Sequence, residues 1–256
     1  MDKPVILVTN DDGINAPGLI RLTEIVRSIG EVSVVAPEHS MSGTSHAITA
    51  RNPLRLRLID KEDGYEKYAC NGTPVDCMKL GEQIVLRRKP DLLVSGINHG
   101  SNAAINILYS GTMAAVLEST IVEVPSIGFS LSNYSMNADF SACEKYIRLI
   151  IDKVLENGLP QDVCLNVNIP AVNSDEIKGI KVCRQAHSRW VEKYDERKDP
   201  ANRDYYWLTG VFELGDNEED TDEWALRNKY VSVVPVHFDL TAHHAISKIK
   251  KWNMNV

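Results

Sequence analysis

The chain has 256 residues, of which 43% are hydrophobic, and a formal net charge of −7 at pH 7. This size and apolar content suffice for one substantial core, and the acidic balance excludes a surface built to hold a long nucleic-acid backbone. Since the sequence shows neither a secretory signal nor an apolar run long enough to span a bilayer, we expect a cytoplasmic protein without a stable nucleic-acid or membrane partner.

Strand and helix patterns alternate over the first two thirds of the chain. Residues 5–8 are a continuous apolar run, which predicts a strand covered on both faces, and residues 18–29 repeat apolar side chains at helical spacing. Thr73 before Pro74 predicts a helix start. Further strands or helices are predicted at residues 32–36, 54–58, 74–84, 92–94, 110–117, 126–129, 146–155 and 164–167. The pattern predicts an α/β fold with a doubly wound, mostly parallel sheet, in which the alternating residues 54–58 form an antiparallel edge strand.

The pattern changes after residue 169. Short strand-like segments are separated by a charged stretch at residues 192–203 and followed by an acidic run at residues 216–223; they lie at residues 180–182, 205–208 and 210–214. Aromatic side chains are crowded here, as they are in protein interfaces, so we expect a protruding β-arm used for self-association. A strand and a helix are predicted at residues 230–236 and 241–252. We interpret residues 1–256 as a single domain with a core at 1–170, an arm at 171–229 and a C-terminal strand and helix at 230–256.

Polar loops follow three of the predicted strands. They contain Asn10-Asp11-Asp12-Gly13, Ser40-Met41-Ser42-Gly43-Thr44-Ser45 and Ser95-Gly96-Ile97-Asn98-His99-Gly100-Ser101-Asn102. Ligands of open α/β sheets bind outside the carboxyl ends of the strands, so these loops should converge. Carboxylate, hydroxyl and amide oxygens suit Mg²⁺ or Mn²⁺. Each residue alone is also an ordinary turn residue, but their joint placement favours a metal site formed by Asp11, Asp12, Ser42 and Asn98.

Ser110-Gly111-Thr112 begins a predicted helix, where unpaired N–H groups and hydroxyls can bind phosphate oxygens. The sequence contains neither GxxxxGK[ST] nor GxGxxG nor GxSxG, which argues against a P-loop NTPase, a dehydrogenase and an α/β-hydrolase. A divalent metal beside an anion-binding helix start favours hydrolysis of a phosphate monoester. We therefore predict that the metal and the phosphate share one pocket.

Taken in order, these motifs resemble the SurE family of 5'/3'-nucleotidases. The resemblance rests on Asn10-Asp11-Asp12-Gly13 with Ala16-Pro17-Gly18, Ser42-Gly43-Thr44-Ser45, Ser95-Gly96-Ile97-Asn98 with Gly100 and Asn102, Tyr109-Ser110-Gly111-Thr112, Asp199-Pro200 with Tyr205-Tyr206-Trp207-Leu208, and Tyr230-Val231-Ser232-Val233 with Asp239-Leu240-Thr241. It spans the chain. It implies a Rossmann-like fold, one divalent metal ion per subunit held by Asp11, Asp12, Ser42 and Asn98, and dephosphorylation of nucleoside monophosphates by a cytoplasmic homodimer or homotetramer joined through the C-terminal arm.

The leading hypothesis is a metal-dependent phosphomonoesterase that hydrolyses nucleoside 5'- and 3'-monophosphates, with Asp11 and Asp12 as catalytic residues. The predicted phosphate and substrate contacts are Asn10, Gly43, Asn102, Ser110, Gly111 and Thr112. The alternative is a nucleotide-binding regulator that hydrolyses nothing. A zinc deacetylase is disfavoured, because the five cysteines and seven histidines show no zinc-binding spacing and only His39 and His46 lie near the Asp-Asp pair. The preferred base, cleavage of short polyphosphate and the attacking nucleophile are left open.

Overall fold

The computed structural model describes residues 3–135, 137–252 and 254. Its strands are β1 (Val5–Thr9), β2 (Glu31–Pro37), β3 (Leu56–Glu62), β4 (Tyr65–Cys70), β5 (Leu92–His99), β6 (Ser126–Leu131), β7 (Val163–Ile169), β8 (Ile180–Val182), β9 (Ser188–Lys198), β10 (Asp204–Leu214) and β11 (Val231–His237). Its α-helices are α1 (Pro17–Arg27), α2 (Pro74–Leu80), α3 (Gly111–Ile121), α4 (Glu144–Asn157), α5 (Asp222–Arg227) and α6 (His243–Lys250). No helix among these residues combines the length and the apolarity needed to cross a bilayer.

Nine strands of the described residues form one sheet in the order β3-β4-β2-β1-β5-β6-β7-β11-β8. The run from β4 to β7 is parallel, whereas β3 pairs antiparallel with β4 and β11 pairs antiparallel with β7. This confirms the mostly parallel α/β sheet and the antiparallel edge strand near residues 54–58. The partner of that edge strand, β4, was not predicted, because its lysine and glutamate interrupt any apolar run.

The hydrophobic core lies on both faces of the sheet. Ile6 and Val8 of β1 pack with α1 and α4 on one face, and Leu7 packs with α2 and α3 on the other. Successive side chains of a strand point to opposite faces, so an uninterrupted apolar run is what a strand between two helical layers requires. Asp11 and Asp12 lie in the connection from β1 to α1, and therefore at the carboxyl end of a strand that is buried between two helical layers.

Two helices near this edge begin at side-chain caps. Thr73 Oγ1 accepts the backbone N–H of Asp76 at 3.2 Å, and Asp76 Oδ2 accepts that of Thr73 at 2.9 Å, which completes a capping box. Ser110 caps α3 in the same way through the N–H of Met113 at 3.0 Å. Both predicted helix starts are confirmed. The helix predicted to Ile84 changes character after Leu80, since residues Gly81–Leu86 form a π-helical turn.

Strands β9 and β10 pair with each other along their full length and form a long antiparallel hairpin, which confirms the predicted β-arm. The charged stretch at residues 192–203 was expected to separate two short strands, and this detail is wrong. Residues 192–198 belong to β9, and residues 205–208 and 210–214 lie within the single strand β10. Most side chains on both faces of the hairpin are exposed, so no apolar alternation marks it as a strand pair.

Candidate active site

The two neighbouring carboxylates follow β1 but lie in different surroundings. Asp11 is only 3% exposed, and its carboxylate accepts a hydrogen bond from the Thr112 hydroxyl at the start of α3. Burial raises the pKa of Asp11 to about 6; the Thr112 hydroxyl opposes this shift, and the negative charge of Asp12 adds to it. A buried carboxylate with a raised pKa lacks sufficient positive charge nearby, which is the condition that a bound cation would relieve.

Asp12 connects three segments of the chain. Its Oδ2 accepts the backbone N–H of His99 at 3.1 Å, and its Oδ1 accepts the hydroxyl of Ser42 at 3.5 Å. Burial also raises the pKa of Asp12, against the opposing effect of the His99 hydrogen bond. The ends of β1 and β5 and the loop after β2 therefore meet at one carboxylate, as the strand order predicts.

The loop that carries Ser42 is joined to the first turn by its backbone as well. The N–H of Met41 donates to the carbonyl oxygen of Asp11 at 2.7 Å, and the hydroxyls of Ser40 and Ser42 lie 3.0 Å apart. Ser42 itself is exposed. Its hydroxyl thus lies on the exposed side of the carboxylate pair, 3.5 Å from Asp12 Oδ1.

Asn98 lies at the end of β5, and here the structure corrects the predicted loop at residues 95–102. The strand continues to His99, with a shift in its pairing to β6 between Ser95 and Asn98. The Asn98 side-chain nitrogen donates to the carbonyl oxygen of Gly100 at 2.8 Å. Among the described residues no donor binds its Oδ1, so this oxygen is the atom that Asn98 offers to a ligand.

The N-terminus of α3 faces the first carboxylate directly. A Cβ atom added to Gly111 would stand 2.7 Å from Asp11 Cβ, so only glycine allows this approach. The hydroxyl of Thr112 binds Asp11, and the hydroxyl of Ser110 caps the helix. The start of α3 thus lies against Asp11. The Ser110 hydroxyl, an acceptor in the cap, keeps its own hydrogen for a further partner, whereas the Ser110 N–H already donates to the Ile107 carbonyl oxygen at 3.4 Å.

The other predicted contacts differ in their surroundings. Asn10 donates to the carbonyl oxygen of Gly13 at 3.0 Å, while its Oδ1 is buried without a hydrogen-bond partner in the described part of the chain. Gly43 is exposed at φ +76°, a backbone conformation that glycine adopts without strain. The Asn102 side chain donates to Ser130 Oγ at 2.9 Å, a contact within the fold.

Two asparagines of β7, which are not among the predicted site residues, support the loop that carries Asn102. Asn168 Oδ1 accepts the N–H of Asn102 at 2.8 Å, and the side chain of Asn166 donates to the Asn102 carbonyl oxygen at 2.9 Å. A signal was present, because polar residues two apart in an otherwise apolar strand share one face of the sheet. The His99 contact to Asp12 left no such signal, since it is made by the backbone.

The donor set is consistent with a hard divalent cation. Two carboxylates, a serine hydroxyl and an amide oxygen are the oxygen ligands that Mg²⁺ and Mn²⁺ prefer, and the unpartnered Asn10 Oδ1 adds another buried acceptor close by. Within the described ranges no three His, Cys, Asp or Glu side chains are grouped as metal ligands. A cation here would therefore need the neutral oxygens of Ser42 and Asn98 in addition to the two aspartates.

Comparison with known proteins agrees with this architecture. The family model described as survival protein SurE matches residues 6–192. The 5'-nucleotidase SurE of Flavobacterium psychrophilum is 54% identical over 256 residues and covers 100% of both chains. That of Christiangramia forsetii is 55% identical over 255 residues, 99% of this chain and 98% of its own.

A solved structure shows the same fold. The crystal structure of the SurE protein from Aquifex aeolicus superposes with a TM-score of 0.84 at 41% sequence identity, covering 97% of this chain and 99% of the other. The resemblance drawn from the motifs is thus confirmed over the whole length. The chain belongs to the survival protein SurE family.

Proposed function

We propose that the protein is a metal-dependent nucleotidase that hydrolyses nucleoside 5'- and 3'-monophosphates to nucleoside and phosphate. The observation that carries this proposal is the contact between Asp11 and the start of α3. Carboxylates able to hold a cation lie directly against N–H groups able to hold an anion, and a phosphate ester needs both. The relatives named 5'-nucleotidase SurE support the same substrate class.

Asp11, Asp12, Ser42 and Asn98 would hold one Mg²⁺ or Mn²⁺ per subunit. When bound, such a cation polarises a phosphoryl oxygen and lowers the pKa of a coordinated water. Asp11 and Asp12 supply the negative charge that retains it, and Thr112 fixes the orientation of Asp11. Because protonated Asp11 is a poor ligand, a cation bound near pH 6 would be held by the deprotonated carboxylate, and its binding would release a proton from Asp11.

The phosphate would lie at the first turn of α3. The N–H groups there point along the helix axis toward the carboxylate edge, and the positive end of the helix dipole favours an anion. We assign this role to the backbone N–H groups of Gly111 and Thr112 and to the hydroxyl of Ser110, whose own N–H donates to the Ile107 carbonyl oxygen at 3.4 Å. Asn10, Gly43 and Asn102 are further candidate contacts. Short polyphosphate presents the same terminal group and is a candidate second substrate.

The hairpin is a candidate surface for a homodimer or homotetramer. Tyr206 and Trp207 of β10 are 58% and 59% exposed, and exposed aromatic side chains on a long strand pair are typical of interfaces. A cytoplasmic location is supported by the cysteines, all five of which are buried free thiols.

Phosphate release from 5'-AMP and 3'-AMP tests the function. Release with Mn²⁺, its loss on addition of EDTA, and its absence in Asp12→Asn are the expected results. Asp152→Asn, which changes an exposed carboxylate of α4, is the matched control and should be fully active. Metal-dependent AMP binding without phosphate release would instead support the non-hydrolytic regulator, and activity retained in Asp12→Asn would reject the site.

A further inference from the structure

The loop that carries Ser42 is long and irregular. Residues 38–55 connect β2 to β3 without a regular helix or strand. A loop of this length within a compact domain has no backbone ladder to fix its position, so its course depends on individual anchors. Ser42 needs such anchors, because its side chain contacts the carboxylate pair only through a long hydrogen bond, of 3.5 Å, to Asp12 among the described residues.

One of these anchors is an ionic cluster beneath the loop. Glu118 of α3 accepts hydrogen bonds from Nε2 of His46 at 2.8 Å and from Nζ of Lys79. The Glu118 side chain is only 10% exposed, whereas those of His46 and Lys79 are 37% and 41% exposed. Burial acts to raise the pKa of Glu118, but the hydrogen bonds from Lys79 and His46 and the charge of Lys79 outweigh it, so that the pKa is lowered. A buried, charged acceptor is therefore held between the loop and α2.

The other anchors of the loop do not reach α3. The Thr49 N–H donates to the carboxylate of Asp76 in α2, at 3.1 Å from Oδ1 and 3.2 Å from Oδ2. Ser45 Oγ donates to the Leu108 carbonyl oxygen at 2.6 Å, and Thr73 Oγ1 donates to the Ala47 carbonyl oxygen at 2.7 Å. Hydrogen bonds with an ionised partner are roughly twice as strong as neutral ones. The His46–Glu118 contact is also the one that reaches α3, and the N-terminus of that helix contacts Asp11 through Thr112.

We propose that Glu118 is a positioning residue: through His46 it holds the loop on α3 so that Ser42 stays beside Asp12. The inference rests on the metal site proposed above. Ser42 is bracketed by the Met41–Asp11 backbone bond on one side and the His46–Glu118 bond on the other. The loop, the first turn and α3 thereby form one frame around the carboxylate pair.

His46→Ala tests the proposal, because it removes the link from the loop side and leaves the Lys79–Glu118 pair between the two helices intact. His46→Gln keeps an N–H donor and is the rescue variant. Glu123→Gln, which breaks an exposed pair with Lys89 just beyond α3, is the matched control. The readouts are hydrogen exchange of residues 40–49 in EDTA, Mn²⁺ affinity by titration calorimetry, and the urea midpoint.

We expect His46→Ala to speed exchange selectively in residues 40–49 and to raise the Kd for Mn²⁺ about tenfold, the lower end of what loss of an outer-shell partner costs. The urea midpoint should stay unchanged, and His46→Gln and Glu123→Gln should behave as the wild type. Unaltered exchange and affinity in His46→Ala would overturn the proposal, and so would faster exchange throughout the chain with a lower midpoint.

The two proposals fail separately. If the wild type binds Mn²⁺ but releases no phosphate from any nucleotide, the proposed nucleotidase activity is rejected. The exchange and affinity measurements on His46→Ala still decide whether Glu118 positions the loop. A wild type that is active, with a loop that is insensitive to His46→Ala, would keep the nucleotidase and reject the positioning role.

Discussion

Replacing Asp11 with asparagine should stabilise the metal-free protein while abolishing metal binding. The amide has the shape of the carboxyl group and can still accept the Thr112 hydroxyl, but it carries no charge into this buried position. Most substitutions of buried polar residues destabilise a protein, so a gain in stability here would show that the buried charge of Asp11 is unfavourable without a cation.

The magnitude follows from the raised pKa. The pKa is about 6 in the folded protein against 3.8 for the unperturbed group, and this difference corresponds to about 3 kcal/mol. Because the folded state holds this proton more tightly than the unfolded state, the group costs stability as the pH rises from about 4 to about 7, and the cost is constant above that. The free energy of unfolding of metal-free Asp11→Asn should therefore exceed that of the wild type by up to about 3 kcal/mol at pH 8 and by about half of this at pH 5.

Urea denaturation in EDTA at several pH values measures the effect, at one protein concentration because subunit association also contributes to stability. Asp152→Asn is the control for loss of a carboxylate that is not buried. In Mn²⁺ the order should reverse, since only the wild type gains stability from the ion. A metal-free Asp11→Asn variant less stable than the wild type at pH 8, or a difference independent of pH, would refute the reasoning.

Three further outcomes are expected. Gly111→Ala places a methyl group 2.7 Å from Asp11 Cβ, so Mn²⁺ affinity measured by calorimetry should fall while the circular dichroism spectrum is kept; wild-type affinity would argue against the close approach. Thr112→Val removes the hydroxyl that donates to the buried Asp11 carboxylate and should lower the free energy of unfolding, measured in urea at pH 8, by about 1.5–3 kcal/mol. An unchanged free energy of unfolding would show that this hydrogen bond is not formed. Trp207→Ser should reduce the oligomer mass measured by light scattering without lowering subunit stability, because the side chain is 59% exposed. An unchanged mass would show that Trp207 on the hairpin does not contribute to the interface.

The sheet could be predicted where local pattern and burial agree. The first strand is apolar on both faces because helices cover both, and Ser110 and Thr73 cap helices by a rule that involves only neighbouring residues. Prediction was incomplete where tertiary context supplies what the local sequence lacks. Ser95 continues the strand because it pairs with Thr9 of β1 and with Gly128 of β6, and Asn98 pairs with Ser130 of β6 beyond the register shift.

The site could be predicted only as a set of residues. Strand order brings Asp11, Asp12 and Ser42 to one edge, and that is a topological argument. Which hydroxyl faces which carboxylate depends on rotamers and on the close approach of α3, so the Thr112 contact with Asp11 could not be derived from the sequence. Glu118 is indistinguishable from a solvent-facing helix residue until the loop that crosses it is known.

The convergence of Asp11, Asp12 and Asn98 on one ion is the central claim, and anomalous diffraction from a crystal grown with Mn²⁺ tests it most directly. We expect a single strong peak at the carboxyl edge of the sheet, coordinated by both carboxylates and by Asn98 Oδ1, with Ser42 or water completing the shell. A peak that lacks Asp11, or no peak at this edge at saturating Mn²⁺, would contradict it.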